Sequence, residues 1–148
     1  TAARLASGII NFEGVGPESP VNEIVTFETT HGTVAPGRAE GEIAGCTKHF
    51  GGVGTNIDVD EFEKTGIVYG DMTHVTIVKN GETLFDRDVL YHKSFGFVPE
   101  GEPILYNGST TPTIALSLNK RSFAEKFLPH IFDTGENFGD YKITIVKK

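Results

Sequence analysis

Side chains able to act as ligands, bases or nucleophiles are scattered along this chain. Five histidines stand at His31, His49, His74, His92 and His130. None shows the short paired spacing by which zinc sites gather ligands, so they read as ordinary surface or core histidines. Asp58, Asp60, Glu61 and Glu63 form an acidic run. A calcium loop needs a central glycine and a terminal bidentate glutamate, which this run lacks. A solvated helix start, favoured by the helix dipole, accounts for it better. Cys46 is the single cysteine and lies in a hydrophobic stretch; a small packing thiol is favoured over a nucleophile. Asn107-Gly108-Ser109 matches a glycosylation acceptor, but nothing marks the chain as secreted. No serine or cysteine has a base at motif spacing. From spacing alone, no catalytic group and no metal site are expected.

The segment Phe50-Gly51-Gly52-Val53-Gly54-Thr55-Asn56-Ile57 is more informative. Glycines beside a strand let a flat ligand or another backbone approach closely. The spacing is not GxGxxG and no helix follows at once, so a dinucleotide loop is not indicated. A bulged strand at a barrel corner and a ligand-facing turn both remain open, and they can coexist.

The elements that must position these residues are short strands. The chain has 148 residues, with 38% hydrophobic and 22% charged content, which suits one domain with a real core. Eighteen glycines and seven prolines favour turns over a helical bundle. The net charge of −7 and the lack of clustered Lys and Arg exclude a non-specific nucleic-acid grip. No stretch approaches the roughly 18–20 apolar residues of a membrane helix. One cysteine rules out an internal disulfide, so a reducing, cytoplasmic setting is expected.

Thr1–Gly8 reads as the end of a helix capped by Gly8, without an initiating Met, as in a domain cut or cleaved from a longer chain. Asn11–Pro20 reads as a linker, Glu23–Phe27 as a short β-like run, and Thr29–Arg38 as loop. The expected division is therefore a helix end and linker over 1–38 and a β-barrel domain over 39–148. Strands are expected at Gly41–Cys46, Gly52–Ile57, His74–Lys79, Thr83–Leu90, Ile104–Tyr106, Thr113–Leu118 and Tyr141–Val146. His74–Lys79 and Tyr141–Val146 alternate at period 2, as half-buried strands do. Asn80-Gly81 is a type I′ hairpin signal. Two short helices interrupt the strands, at Asp60–Gly66 and at Ser122–Leu128, with Ser122 as N-cap and Pro129 as terminator. The expected fold is mainly β: a small antiparallel β-barrel with two short helices.

Read in order, these segments resemble the C-terminal domain of the S-adenosylmethionine hydroxide adenosyltransferase family, which also includes fluorinases and chlorinases. The resemblance rests on Phe50-Gly51 followed by Thr55-Asn56-Ile57, and on Tyr69-Gly70-Asp71. It continues through Tyr91-His92-Lys93-Ser94-Phe95 leading to Gly101-Glu102-Pro103, then Ser109, Ile114–Asn119 and Phe123-Ala124-Glu125. Ala2–Gly8 and Gly16-Pro17-Glu18 are similar to the helix and linker that precede this domain in the family.

The resemblance implies attack at the 5′ carbon of S-adenosylmethionine with loss of L-methionine, by water in the hydrolytic members and by halide in others. S-adenosylmethionine would be substrate, with no separate cofactor. It also implies a homotrimer, with the site between this domain and the N-terminal domain of the same protein or a neighbouring subunit. Carried over by position, Phe50 and Phe95 would pack on adenine, Ser109 would bond the methionine carboxylate, and Asn119 would lie near the adenine edge. Gly52 stands where the family has an adenine-binding Asn, and Gly54 where halogenases have an aromatic residue. Thr110 replaces a halogenase Arg, and Thr47 or Lys48 an acidic residue that meets the methionine amino group. Two alternatives follow: a halide-using member, or a non-catalytic barrel serving assembly or nucleoside binding.

Overall fold

The computed structural model describes residues 1–26 and 29–148. Eight strands form one sheet: β1 Thr33–Ala35, β2 Arg38–Cys46, β3 Val53–Asp58, β4 Met72–Lys79, β5 Glu82–Tyr91, β6 Pro103–Asn107, β7 Thr113–Leu118 and β8 Tyr141–Lys147. The sheet runs β1-β2-β3-β7-β6-β5-β4-β8, and β8 pairs again with β2, closing a seven-stranded barrel. Closure runs from Arg38↔Val146 to Glu42↔Lys142. It leaves the seven closing strands without an open edge. β1 lies against the first residues of β2, on the edge that β3 takes further along.

The alternation at period 2 explains why these segments close. Val75 and Ile77 of β4 and Tyr141, Ile143 and Ile145 of β8 point inward and are almost wholly buried. Asn80 (φ 51°) and Gly81 (φ 83°) make the β4–β5 turn with positive φ at both central positions, as a type I′ hairpin requires. All pairings are antiparallel except β5–β6, which is parallel through Leu90↔Ile104 and Tyr91↔Leu105. A parallel neighbour cannot be reached by a tight turn. The connection between them therefore crosses over, and it carries the single helical turn Phe95–Phe97.

Short helices plug the barrel. α2, Val59–Glu63, inserts Phe62, whose ring meets Tyr91 edge-on at 5.1 Å. α3, Phe123–Phe127, inserts Phe123 against Phe85 at 4.9 Å. Phe85 and Tyr91 lie six residues apart on β5, about 20 Å along a strand, so the plugs sit towards opposite ends. Ser122 caps α3 by accepting a bond from the Glu125 amide at 3.1 Å.

Two details differ from the sequence reading. β1 lies inside the stretch read as loop, because Pro36-Gly37 (Gly37 φ 72°) folds three residues back onto β2. The loop-like composition of that stretch is the turn itself. The helix end read at Thr1–Gly8 is present as the short helix α1, Ala2–Ala6, with Gly8 (φ 70°) following it. In the run Glu23–Phe27 expected to be β-like, Glu23 ends a single 3₁₀ turn that begins at Val21 and Ile24–Thr26 follow without regular structure; Phe27 lies outside the described residues.

Segment Thr29–Gly32 is tied to the barrel wall. Asn56 donates to Thr30 Oγ1 at 3.1 Å and accepts from the Glu42 amide at 2.8 Å, while His31 bonds Asp58 at 2.7 Å. Upstream, Ile9, Phe12 and Val21 stay largely exposed.

Candidate functional site

The turn after β2 is built on Gly51. Its φ of +64° is open to glycine at little steric cost. A Cβ there would stand 2.5 Å from Ser122 Cα, so the turn and the start of α3 are in direct backbone contact. The Gly51 carbonyl accepts from the Ala124 amide at 2.9 Å and locks that contact. This brings Phe50 beside the first residues of α3.

A second wall comes from the β5–β6 crossover. Asn119, just after β7, holds that loop: its Nδ2 donates to the Val98 carbonyl at 2.8 Å, and its carbonyl accepts from the Gly101 amide at 2.8 Å. The one-turn helix so anchored presents Phe95, which meets Tyr106 edge-on at 4.9 Å.

Between these walls lies a groove of about 460 Å³ lined by Phe50, Phe95, Ser117, Leu118, Arg121 and Glu125, among others. Its mouth is aromatic and open, with Phe50 79% and Phe95 41% exposed, whereas Ser117 is only 5% exposed. Gly52 faces the same side. A Cβ placed there would be 3.2 Å from Ser117 Oγ and 3.7 Å from the Tyr106 hydroxyl, so the glycine leaves a notch between two hydroxyls. Burial raises the Tyr106 pKa and keeps its proton in place. At the rim, Arg121 pairs with Glu100 at 2.6 Å and Lys120 stands 4.0 Å from the same carboxylate, so the rim cations are partly neutralised.

The remaining candidates are distributed along the outer wall. Gly54 pairs with Gly45 and Ala115, and a Cβ there would meet nothing within 4 Å. It opens the outer face rather than shaping a wall. Ser109 and Thr110 are exposed in the β6–β7 turn. They lie at the Thr113 end of β7, while the groove is at its Leu118 end, about 15 Å away along the strand. The structure thus brings Phe50, Gly52 and Phe95 together, sets Asn119 beside them as a loop clamp, and holds Ser109 and Thr110 apart from the groove.

Ser117, Tyr106 and Arg121 were not singled out by sequence reasoning. The available signal was β7's outward series Ala115, Ser117 and Asn119, which period 2 puts on one face.

His49 lines the groove beside Phe50, and the other histidines are placed elsewhere. His74 bridges Asp88 at 2.9 Å and Asp86 at 2.7 Å, bonds that raise its pKa. His92 stacks on Phe97, and His130 bonds Asp133 at 3.0 Å. Among the described residues, no three of His, Cys, Asp and Glu gather as a metal-binding group. Cys46 is half-buried against the core, and burial pushes its thiol up to about 11, away from nucleophile chemistry.

Comparison with known proteins gives this geometry a context. Residues 41–134 match the family described as the SAM hydroxide adenosyltransferase C-terminal domain. That segment contains the whole groove. An uncharacterized conserved protein from Thermotoga maritima of known structure is 24% identical, with a TM-score of 0.60, over 98% of this chain and 48% of its own. A conserved hypothetical protein from Thermus thermophilus is 26% identical, with a TM-score of 0.48 and the same coverage. This chain therefore spans about half the length of either solved structure, and the first shares its fold. With nearly two-thirds of its residues inside the match, the chain belongs to the S-adenosylmethionine hydroxide adenosyltransferase C-terminal domain family.

Proposed function

We propose that this domain binds the nucleoside part of S-adenosylmethionine for hydrolysis to adenosine and L-methionine, completed by an N-terminal domain from the same protein or a neighbouring subunit. The observation that carries the reading is the convergence of Phe50 and Phe95, distant in sequence, on one groove with the Ser117 hydroxyl on its floor and Gly52 beside it. Aromatic faces grip a planar base, and each such stack is worth about 1–3 kcal/mol. A ligand seated in the groove would extend over the open strip at Gly54 and Ala115 towards Ser109 and Thr110, where the polar methionine end would sit. The reaction asks little covalent chemistry of the protein. A water oxygen forms a bond to C5′ as the C5′–S bond breaks, sulfur keeps the electron pair, and the water loses a proton. The protein aligns water, carbon and sulfur in line and strips solvent from the nucleophile. In this reading S-adenosylmethionine is substrate, the assembly is a homotrimer and the setting is cytoplasmic. Halide could replace water as nucleophile in the same arrangement. No helix among the described residues is long and apolar enough to cross a membrane.

The test is incubation of the full-length protein with S-adenosylmethionine, with and without chloride or fluoride, followed by chromatography. Equimolar adenosine and L-methionine are expected, and Phe50→Ala or Phe95→Ala should each weaken adenosine binding about fivefold or more. Release of a halogenated nucleoside would move the reading to the halide-using class. Turnover of nothing would sink it.

A second reading is favoured by the exposed apolar side chains Ile9, Phe12 and Val21. In it the barrel is a non-catalytic unit that uses this segment for assembly. Nucleoside binding without turnover, in a protein that still forms trimers, would favour it.

A further inference from the structure

We propose that Ser117 and Tyr106 form a hydroxyl pair that reads the edge of the bound base, and that the pair accepts 6-amino and 6-oxo purines alike. This rests on the nucleoside reading of the groove and names the substrate class that it admits. Ser117 is 95% removed from solvent, since 5% of it is exposed, and it lines the groove floor. Its neighbour across the ladder is Ile104, which is wholly buried, so that side offers no polar partner. Neither Ser117 Oγ nor the Tyr106 hydroxyl has a side-chain hydrogen-bond partner among the described residues. No buried polar side-chain atom among the described residues lacks a partner, so both oxygens keep contact with solvent and a ligand atom can reach them.

Gly52 sets where that atom goes. The point where its Cβ would stand is 3.2 Å from Ser117 Oγ and 3.7 Å from the Tyr106 hydroxyl. A polar ligand atom a few tenths of an ångström nearer to Tyr106 than that point would stand within hydrogen-bond reach of both hydroxyls, and the Tyr106 ring is steadied by Phe95. The walls direct a base edge there, because Phe50 and Phe95 form the aromatic mouth and Ser117 the floor.

Hydroxyls differ from amides in what they select. An amide presents a donor and an acceptor at fixed positions, whereas a hydroxyl rotates and can donate or accept. Two hydroxyls can accept from an exocyclic amino group, or donate to a carbonyl, without moving a heavy atom. Adenosine and inosine should therefore bind with similar strength.

The experiment is titration calorimetry of the full-length protein with adenosine and with inosine. The two dissociation constants are expected within tenfold of each other. Ser117→Ala and Tyr106→Phe should each weaken both ligands by about three- to tenfold. Gly52→Ala, which fills the notch from the turn before β3, should weaken both as well. Melting temperatures report whether each variant is folded, and the three changes come from β7, β6 and the turn before β3. Constants more than tenfold apart, or folded variants that bind as the parent does, would overturn the hydroxyl pair while leaving the nucleoside site intact. Binding of neither nucleoside would remove the nucleoside site and this proposal together.

Discussion

Gly51→Ala tests the join on which the groove depends. Gly51 holds a φ of +64°, and an L-residue in that region costs roughly 1–2 kcal/mol. The added methyl would also lie 2.5 Å from both Ser122 Cα and Cβ, closer than carbon atoms approach. Relief requires the turn and the α3 start to separate, stretching the bond from the Ala124 amide to the Gly51 carbonyl. Overpacking of this kind costs about 1–3 kcal/mol. The lower entropy of the unfolded chain gives back about 0.4–1 kcal/mol. The net loss is centred near 3 kcal/mol, which for a domain of this size lowers the melting temperature by roughly 6–12 °C. Urea unfolding measures the loss directly. Because the same separation moves Phe50 away from Ser122, adenosine affinity should fall as well. Adding Ser122→Gly to the variant removes the Cβ overlap for a few tenths of a kcal/mol of lost capping, and should recover about 1 kcal/mol. A loss below about 1 kcal/mol for the single variant, or no recovery in the double, would refute the packing argument.

Two further outcomes follow from the titrating groups. The bonds from Asp88 and Asp86 raise the His74 pKa above its ordinary 6.5, so the protonated ring stabilises the fold. That contribution is fully present below about pH 6.5 and is lost as pH rises through the higher folded value. The urea midpoint should fall across that range at low salt, His74→Gln should flatten the slope, and an unchanged slope would count against the pairing. The Cys46 thiol, raised to about 11, should react with an aromatic disulfide reagent at pH 8 about a hundredfold more slowly in the native protein than in denaturant. Rates within tenfold would mean that the thiol is open to solvent.

Much of the barrel was legible because its signals are local. The alternation of β4 and β8, the Asn80-Gly81 turn and the Ser122 cap each depend on residues a few positions apart. The seven expected strands fall where β2 to β8 lie, with ends shifted by up to three residues. The parallel β5–β6 pair was not legible, since no short-range pattern states which way a strand returns after a crossover. β1 was hidden because its three residues flank a Pro-Gly turn and carry the composition of a loop.

For the site, residue order alone marked the glycine segment and, through the family resemblance, Phe50, Gly52 and Phe95. Those choices concern residue type: aromatic rings that can cover a base, and glycines that leave room for one. Only the tertiary structure decided that Phe50 and Phe95 share a groove and that Ser109 and Thr110 stand at the far end of β7. It also turned the Asn119 amide onto the Val98 carbonyl. Ser117 and Tyr106 gained their significance in the same way, from what surrounds them. A hydroxyl is ordinary in a sequence; it becomes a binding group when barrel closure buries it beside an isoleucine and across from a missing side chain. Burial and partnership are sums over distant segments, and no window along the chain contains them.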